Sequence, residues 1–322
     1  MRVTASAPGK LMLFGEHAVL HGYPCLVTSV DLRYMVSIEL IDDPVISIQT
    51  PVLEERNEVF SIRVEDLQND PLKQNDTKFI LAVLQGMIPK VGYRNGFRIH
   101  SDGPIASYGL GSSSAISVAT VRALSALSSI DLSLDEIFQE AFSAVLEVQK
   151  TGSGFDTAAA TFGGTLRYQI GKPIEKLPVE NIPVIIAFTG KKVSTVELVN
   201  KVIDSEKRNP NFQREIFQSI GTITESAQTA MLKQDWETVG QLADRNQDLL
   251  KQLGVSSAKI DKGVKAARMA GAYGAKLSGA GGGDCLFAIC NDHQRETIEE
   301  ALEKVETQVL HLDTDCEGVR LE

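Results

Sequence analysis

The chain has 322 residues, with 32 basic and 42 acidic side chains and a net charge of −10 when histidine is neutral. This acidic balance argues against a nucleic-acid-binding surface. A membrane-spanning helix needs about 18 consecutive apolar residues, and the sequence contains no such run. The four cysteines contain no CxxC pair, which argues against a zinc knot or a disulfide framework. We therefore expect a reduced, cytoplasmic protein that is long enough to form two lobes.

The first 50 or so residues are predicted to be strands. Residues 25–30 and 33–40 are rich in valine, isoleucine and leucine and predict two strands, with Asp31 between them. Residues 77–87 have the pattern of a short helix. Residues 96–101 alternate between apolar and polar side chains, as in a half-buried strand.

Two helices are predicted after a loop of glycine and serine at residues 109–114. The first has apolar residues at helical spacing, namely Ile116, Ala119, Ala123, Leu124 and Leu127. Ser133 and Glu136 form a capping box that opens the second. Its predicted apolar face consists of Ile137, Phe138, Ala141, Phe142 and Val145.

A second half begins near Pro183 and again mixes strands with helices. Strands are predicted at 183–188, 285–290 and 308–313, and helices at 195–207, 211–232, 236–252, 256–271 and 293–305. This order predicts an α+β fold with domains at residues 1–180 and 181–322 and a cleft between the two lobes.

Three clusters of small residues lie far apart in the sequence. They are residues 7–19 (APGKLMLFGEHAV), 108–115 (YGLGSSSA) and 276–284 (KLSGAGGGD). The second opens directly into a helix, where free N–H groups and the helix dipole can bind an anion such as phosphate. Its serine hydroxyls could also bind Mg²⁺. The alternative is a serine-rich helix cap without a ligand.

The third cluster has four glycines among its residues 279–283. A simple turn would not need so many, because each glycine costs about 0.5–1 kcal/mol of backbone entropy. A close approach to a ligand or to another backbone is therefore favoured. The sequence contains neither a GxxxxGK[ST] motif nor a GxGxxG motif, and the HRD and DFG motifs of protein kinases are absent.

Taken in this order, the three clusters resemble the GHMP family of small-molecule kinases, and the resemblance spans nearly the whole chain. The loop GLGSSSA resembles the ATP-phosphate motif of that family. The opening SAPGKLMLFGEHAVLHG, NQDLL at 246–250 and GAKLSGAG at 274–281 are most similar to the mevalonate kinase branch. The resemblance implies an N-terminal lobe like ribosomal protein S5, a ferredoxin-like C-terminal lobe, and transfer of phosphate from ATP to the C5 hydroxyl of mevalonate in isoprenoid biosynthesis.

The same resemblance implies roles for individual residues. Asp156 would be the base that accepts the proton of the acceptor hydroxyl, Lys10 would stabilise the charge beside it, and Ser113 would bind Mg²⁺. The implied ATP-binding residues are Gly109, Leu110, Gly111, Ser112, Ser113, Ser114, Gly279, Ala280 and Gly281. The implied acceptor-binding residues are Glu16, His17, Ser153, Lys150 and Thr195. The implied cofactors are ATP and Mg²⁺, and homodimers are common in the family.

One segment departs from the mevalonate kinase pattern. When the sequences are aligned on Asp156, the magnesium-binding glutamate of the family falls on Val145, and Glu147 is the nearest candidate for that role. The stretch GSGFD at 152–156 is more similar to phosphomevalonate kinases, and Lys150 could bind an acceptor that already carries a phosphate. Phosphomevalonate kinase is therefore an alternative, as is a non-catalytic ligand sensor of the same fold.

Overall fold

The computed structural model describes residues 1–70, 72, 76–104, 108–191 and 195–322, with side chains from residue 197 onward in the last range. The described residues form two sheets. The first sheet has eight strands. They are β1 (Arg2–Phe14), β2 (Cys25–Ile41), β3 (Val45–Gln49), β4 (Phe60–Arg63), β5 (Gly96–Asp102), β6 (Thr165–Tyr168), β7 (Glu175–Leu177) and β12 (Arg320–Leu321).

Strand β2 is continuous where the sequence predicted two strands. Asp31 does not interrupt it, because the closing part of the chain pairs with this position. The backbone N–H of Asp31 donates to the carbonyl of Asp313 at 3.1 Å, and the N–H of Asp313 donates to the Asp31 carboxylate at 2.9 Å. The two halves of β2 also have different partners, since residues 25–28 pair with β6 and residues 35–41 pair with β5.

Helices cover the first sheet and bury its apolar side chains. They are α1 (Pro51–Glu55), α2 (Lys78–Val91), α3 (Ser112–Leu127), α4 (Leu134–Gln149) and α5 (Phe155–Phe162). The predicted capping box is confirmed, because Ser133 accepts from the N–H of Glu136 and the Glu136 carboxylate accepts from the N–H of Ser133. Helix α3 packs on β1 and β2, so the loop before it reaches the end of the sheet.

The second sheet has four antiparallel strands in the order β11-β8-β10-β9. They are β8 (Val184–Phe188), β9 (Gly274–Leu277), β10 (Cys285–Ile289) and β11 (Gln308–Leu310). The helices of this half are α6 (Thr195–Arg208), α7 (Pro210–Leu232), α8 (Trp236–Gln252), α9 (Ala258–Met269) and α10 (Arg295–Glu303). Short 3-10 helices lie at Ala18–His21, Val64–Asn69 and Asp292–Gln294. Across the described ranges, no helix has the length and apolar character needed to cross a membrane.

A shared core joins the two sheets. Leu11 and Phe14 of β1 belong to the same buried cluster as Ile186 of β8 and Phe287 of β10. The chain also returns to its starting sheet, where Leu321 pairs with Ala5 of β1. The division into domains at residues 1–180 and 181–322 stays a prediction.

Candidate active site

Hydrogen bonds join the three glycine-rich clusters. The backbone N–H of Lys10 in the first cluster donates to the carbonyl of Leu110 in the second at 2.8 Å. The hydroxyl of Ser278 in the third cluster accepts from the Met12 N–H at 3.1 Å and donates to the Met12 carbonyl at 2.9 Å. Segments that are separated by about 100 and 270 positions are thus fixed at one place.

One cavity lies where the clusters meet, and we call it the phosphate cavity. Its described lining consists of Lys10, Gly109, Gly111, Ser112, Ser113, Ser114, Phe142, Val145, Gln149, Gly152, Ser153, Gly154, Phe155, Asp156, Thr157, Gly279, Ala280 and Asp284. The structure therefore brings together the predicted base, its neighbouring lysine, most of the predicted ATP-binding residues and Ser153.

Two helices begin at the phosphate cavity behind glycine caps. Gly111 precedes α3 with φ 84°, and Gly154 precedes α5 with φ 94°. Glycine tolerates these positive φ values and has no side chain that could occupy the first-turn N–H groups. The hydroxyl of Thr157 donates to that of Ser114 at 3.2 Å and holds the two helix starts together. Both helix dipoles therefore favour an anion in this cavity.

Lys10 and Asp156 form an ion pair inside the cavity. The Lys10 ammonium lies 3.0 Å from Oδ1 of Asp156, and it also donates to the Gly109 carbonyl at 3.2 Å. The Asp156 side chain is 36 % exposed, whereas that of Lys10 is 6 % exposed. Gly111 permits this approach, because a Cβ there would lie 3.0 Å from Cγ of Lys10. The carboxylate is thus accessible to a ligand and the ammonium is held beneath it.

A second cavity adjoins the first, and we call it the acceptor cavity. Its described lining consists of Met12, His17, Val19, Leu20, Gln149, Thr151, Gly152, Ser153, Phe155, Asp156, Val199, Gly279 and Ala280. Asp156 lines both cavities. A base at that position can reach an alcohol on one side and a phosphoryl group on the other.

His17 is held as a neutral side chain at the acceptor cavity. Its Nε2 lies 3.0 Å from the carbonyl oxygen of Ala280, to which the N–H of the neutral ring donates. Burial lowers the pKa of His17 from 6.5 to about 4, because the charged form would lose its hydration. His17 therefore joins the first cluster to the third without contributing charge.

This lowered pKa predicts that acidification weakens the fold. The unfolded state binds the proton near pH 6.5 and the folded state only near pH 4, so the free energy of unfolding falls as the pH drops through this window. From pH 7 to pH 5 we expect a contribution from His17 of about 2 kcal/mol. Urea unfolding of the wild type and of His17→Asn at both pH values measures it. Asparagine does not titrate and tolerates the φ of 59° at this position. An equal pH dependence in both proteins would contradict the assignment.

Glu16 was predicted to bind the acceptor, and the structure places its side chain away from the described lining of both cavities. Its side chain is fully buried and forms an ion pair with Lys276 of β9, whose side chain is also fully buried. Burial raises the pKa of Glu16 and lowers the pKa of Lys276, since both charged forms lose their hydration. This ion pair joins the segment that directly follows β1 to β9.

Glu147, the predicted metal ligand, and Lys150, a predicted acceptor-binding residue, lie at the surface of the structure. The two side chains pair with each other at 2.8 Å and are 62 % and 72 % exposed. Lys150 ends α4 with φ 60°, as a helix C-terminal lysine, and neither residue is among the described lining of the cavities. Val145 of α4, which was predicted to lie on the apolar face of the helix, lines the phosphate cavity.

Leu110 and Gly281 are absent from the described lining of the two cavities, and the side chain of Thr195 lies outside what the structure describes. Leu110 is buried in the shared core and contributes its carbonyl to Lys10. Gly281 packs against the backbone of Val255. Thr195 begins α6, and its side chain lies outside the described residues.

The packing of Gly281 predicts a large cost for a side chain at this position. Its φ is 90°, and a Cβ would lie 2.2 Å from the carbonyl oxygen of Val255. Gly22 is a matched control, because its φ is 80° and no described atom would lie within 4 Å of a Cβ. We expect Gly22→Ala to cost about 1–2 kcal/mol of unfolding free energy through φ alone. Gly281→Ala should cost about 1–3 kcal/mol more through overpacking. Urea unfolding measures both, and equal losses would contradict this reading of the packing.

Sequence reasoning assigned no role to Asp284, although it ends the third glycine cluster. Asp284 lines the phosphate cavity together with Ser113, and their side chains carry a carboxylate and a hydroxyl. Both are hard oxygen donors of the kind that Mg²⁺ prefers. Within the described part of the chain, no group of three or more histidine, cysteine, aspartate or glutamate side chains gathers to hold a metal. A magnesium ion here would therefore need phosphate oxygens of the nucleotide to complete its coordination.

Comparisons with known proteins agree with this geometry. The family model "GHMP kinases N terminal domain" matches residues 78–164, and "GHMP kinases C terminal" matches residues 227–307. Mevalonate kinase of Pyrococcus furiosus is 33 % identical, and the match covers 100 % of this chain and 99 % of that protein.

Solved structures are similar over nearly the full length. The crystal structure of Methanococcus jannaschii mevalonate kinase has a TM-score of 0.83 at 28 % identity, and covers 97 % of this chain and 98 % of that one. Streptococcus pneumoniae phosphomevalonate kinase has a TM-score of 0.78 at 19 % identity, and covers 98 % and 99 % of the two chains. At 19 % identity, the similarity to the phosphomevalonate kinase shows only that the two proteins share a fold.

Proposed function

The chain belongs to the GHMP kinase family, and from this we propose that it is an ATP-dependent mevalonate kinase. It would transfer the γ-phosphoryl group of ATP to the C5 hydroxyl of mevalonate and release 5-phosphomevalonate and ADP. The observation that carries the proposal is the position of Asp156, which lines both the phosphate cavity and the acceptor cavity and lies 3.0 Å from the Lys10 ammonium.

The residues of the site suit an in-line transfer. The first-turn N–H groups of α3 would hold the phosphates of ATP, and Asp156 would accept the proton of the C5 hydroxyl. The hydroxyl oxygen forms the new bond to the γ-phosphorus while the bond to the ADP oxygen breaks. Lys10 would stabilise the negative charge of the transferring group. Mg²⁺, when bound, supplies charge neutralisation at the phosphates, and Ser113 and Asp284 are the side chains placed to hold it.

The acceptor cavity favours mevalonate over its 5-phosphate. Its described lining is apolar at Met12, Val19, Leu20 and Val199 and neutral at Gln149, Thr151 and Ser153. Lys150 was one of the extra cations considered for a phosphorylated acceptor, and its side chain instead pairs with Glu147 at the surface. The relatives that cover the full chain at 30 % identity or more support the same choice.

A coupled assay of ADP release with each acceptor tests the substrate. We expect turnover with mevalonate and at least a 100-fold lower kcat/KM with 5-phosphomevalonate, which corresponds to about 2.7 kcal/mol of discrimination. Turnover with the phosphorylated acceptor alone would select the phosphomevalonate kinase alternative. A sensor would bind nucleotide but release ADP equally slowly in the wild type and in Asp156→Asn.

We also propose that the protein acts in the cytoplasm on its small-molecule substrate, and that it forms homodimers as other members of its family do. The absence of a membrane-crossing helix among the described residues is compatible with this location. Sedimentation of the purified chain measures its oligomeric state.

A further inference from the structure

We propose that Tyr168 is a positioning residue for the transfer reaction, because its hydroxyl holds the α4–α5 loop (residues 150–154) and, through this loop, the base Asp156. The inference rests on the proposed function, since it concerns the group that orients that base. Tyr168 lies on β6, outside the described lining of both cavities. Its hydroxyl donates to the carbonyl of Ser153 at 2.5 Å, and the residue is 5 % exposed.

The α4–α5 loop depends on this hydrogen bond for its position. Within the described ranges, the bond from Tyr168 is the one hydrogen bond that residues 151–153 make. The last residue of the loop, Gly154, has a φ of 94° and caps α5. Ser153 lines both cavities, and Asp156 follows in the first turn of α5. A single buried hydroxyl therefore supports the segment that leads directly to the base.

Packing on the first sheet fixes the ring of Tyr168. Strand β6 pairs with β2, where Tyr168 lies opposite Cys25. The ring belongs to a buried cluster that also contains Met12 of β1 and Phe155 of α5. Burial raises the pKa of Tyr168 to about 12, so the hydroxyl keeps its proton and donates at neutral pH. The loop is therefore attached to a donor that is itself held by the sheet.

The backbone of the loop lies very close to the Tyr168 hydroxyl. A Cβ at Gly154 would lie 2.7 Å from the hydroxyl oxygen, so glycine permits the approach. Without the hydroxyl, the carbonyl of Ser153 loses its donor, and a buried carbonyl without a donor is unfavourable. The loop must then shift to find another donor, and the start of α5 shifts with it. A displacement of about 1 Å at a reacting group can lower a rate by about 100-fold.

Two tyrosine variants test the proposal in the full chain. Tyr168→Phe removes the hydroxyl and keeps the ring. Tyr93→Phe is the matched control, because its hydroxyl also donates to a backbone carbonyl, that of Leu127 at 3.1 Å, and Tyr93 lines neither cavity in the described lining. Steady-state ADP release with mevalonate should show a kcat at least about tenfold lower in Tyr168→Phe, with the KM for ATP near the wild-type value. Tyr93→Phe should keep the wild-type kcat, although its urea midpoint falls as that of Tyr168→Phe does.

Amide hydrogen exchange measures the position of the loop without any substrate. We expect the amides of residues 151–157 to exchange at least about tenfold faster in Tyr168→Phe than in the wild type, and at the wild-type rate in Tyr93→Phe. Unchanged exchange or unchanged kcat in Tyr168→Phe, or an equal loss of kcat in Tyr93→Phe, would each overturn the proposal. A failure of the proposed function appears separately, as a wild type that does not turn over mevalonate. Faster exchange in Tyr168→Phe alone would then still support the contact and reject only the reaction.

Discussion

Replacing Asp156 with asparagine should lower kcat about 1,000-fold, within the range of about 10²–10⁴ that a positioned general base contributes. The carboxylate is 36 % exposed between the two cavities, and asparagine cannot accept the proton of the hydroxyl. The side chains have nearly the same shape, so the packing of Asp156 at the start of α5 remains. Steady-state ADP release with mevalonate measures the effect.

Nucleotide binding distinguishes a catalytic loss from a damaged site. We expect the Kd of Asp156→Asn for ADP to stay near the wild-type value, because in the proposed site the start of α3 would hold the phosphates and this carboxylate would not. Asp292→Asn is the matched control, since Asp292 is exposed and lines neither cavity. A fall in kcat below tenfold with ADP binding intact would contradict the role of Asp156 as the base.

Breaking the buried pair of Glu16 and Lys276 should cost about 3–5 kcal/mol of unfolding free energy in either single variant. In Lys276→Met the Glu16 carboxylate is left without its partner, and its Oε2 already has no hydrogen-bond partner among the described residues. In Glu16→Gln the Lys276 ammonium keeps one hydrogen bond, to the Leu277 carbonyl at 2.7 Å, and the faces of Phe14 and Phe287 at 5.7 and 5.1 Å.

The double variant identifies the cause of that loss. With both charges removed, Glu16→Gln/Lys276→Met should lose less stability than either single variant, because no unpaired charge remains in the interior. Urea unfolding of the four proteins gives the coupling energy. Additive losses would show that each side chain acts by its packing alone. The pair would then have no electrostatic part in joining β1 to β9.

Sequence patterns that lie within a single helix or strand predicted most of the fold. The capping box at Ser133 fixed the start of α4, and the helical spacing before Leu127 fixed α3. Strands β4, β6, β7, β9 and β12, which have two to four residues each, were not predicted. Such short strands lack a readable period, and β12 exists because it pairs with β1 at the opposite end of the chain.

The predicted site residues differ in where the structure places them. The structure brings Lys10, Ser113 and Asp156 to one cavity, as the ordered clusters predicted. Glu147 and Lys150 face solvent, because the side of α4 toward the cavity is set by its packing against α2, α3 and α5. A charged residue near a motif in sequence can point away from the site that the motif forms.

The sequence by itself determined which backbone segments can approach a phosphate, because glycines and a helix start carry that property locally. It could not determine which carboxylates face that phosphate. Glu16 is buried against Lys276, while Asp284 reaches the cavity because the backbone at Thr189 and Lys191 holds its turn over Gly109. The direction of a charged side chain depends on partners that are distant in sequence, and only the tertiary structure brings those partners together.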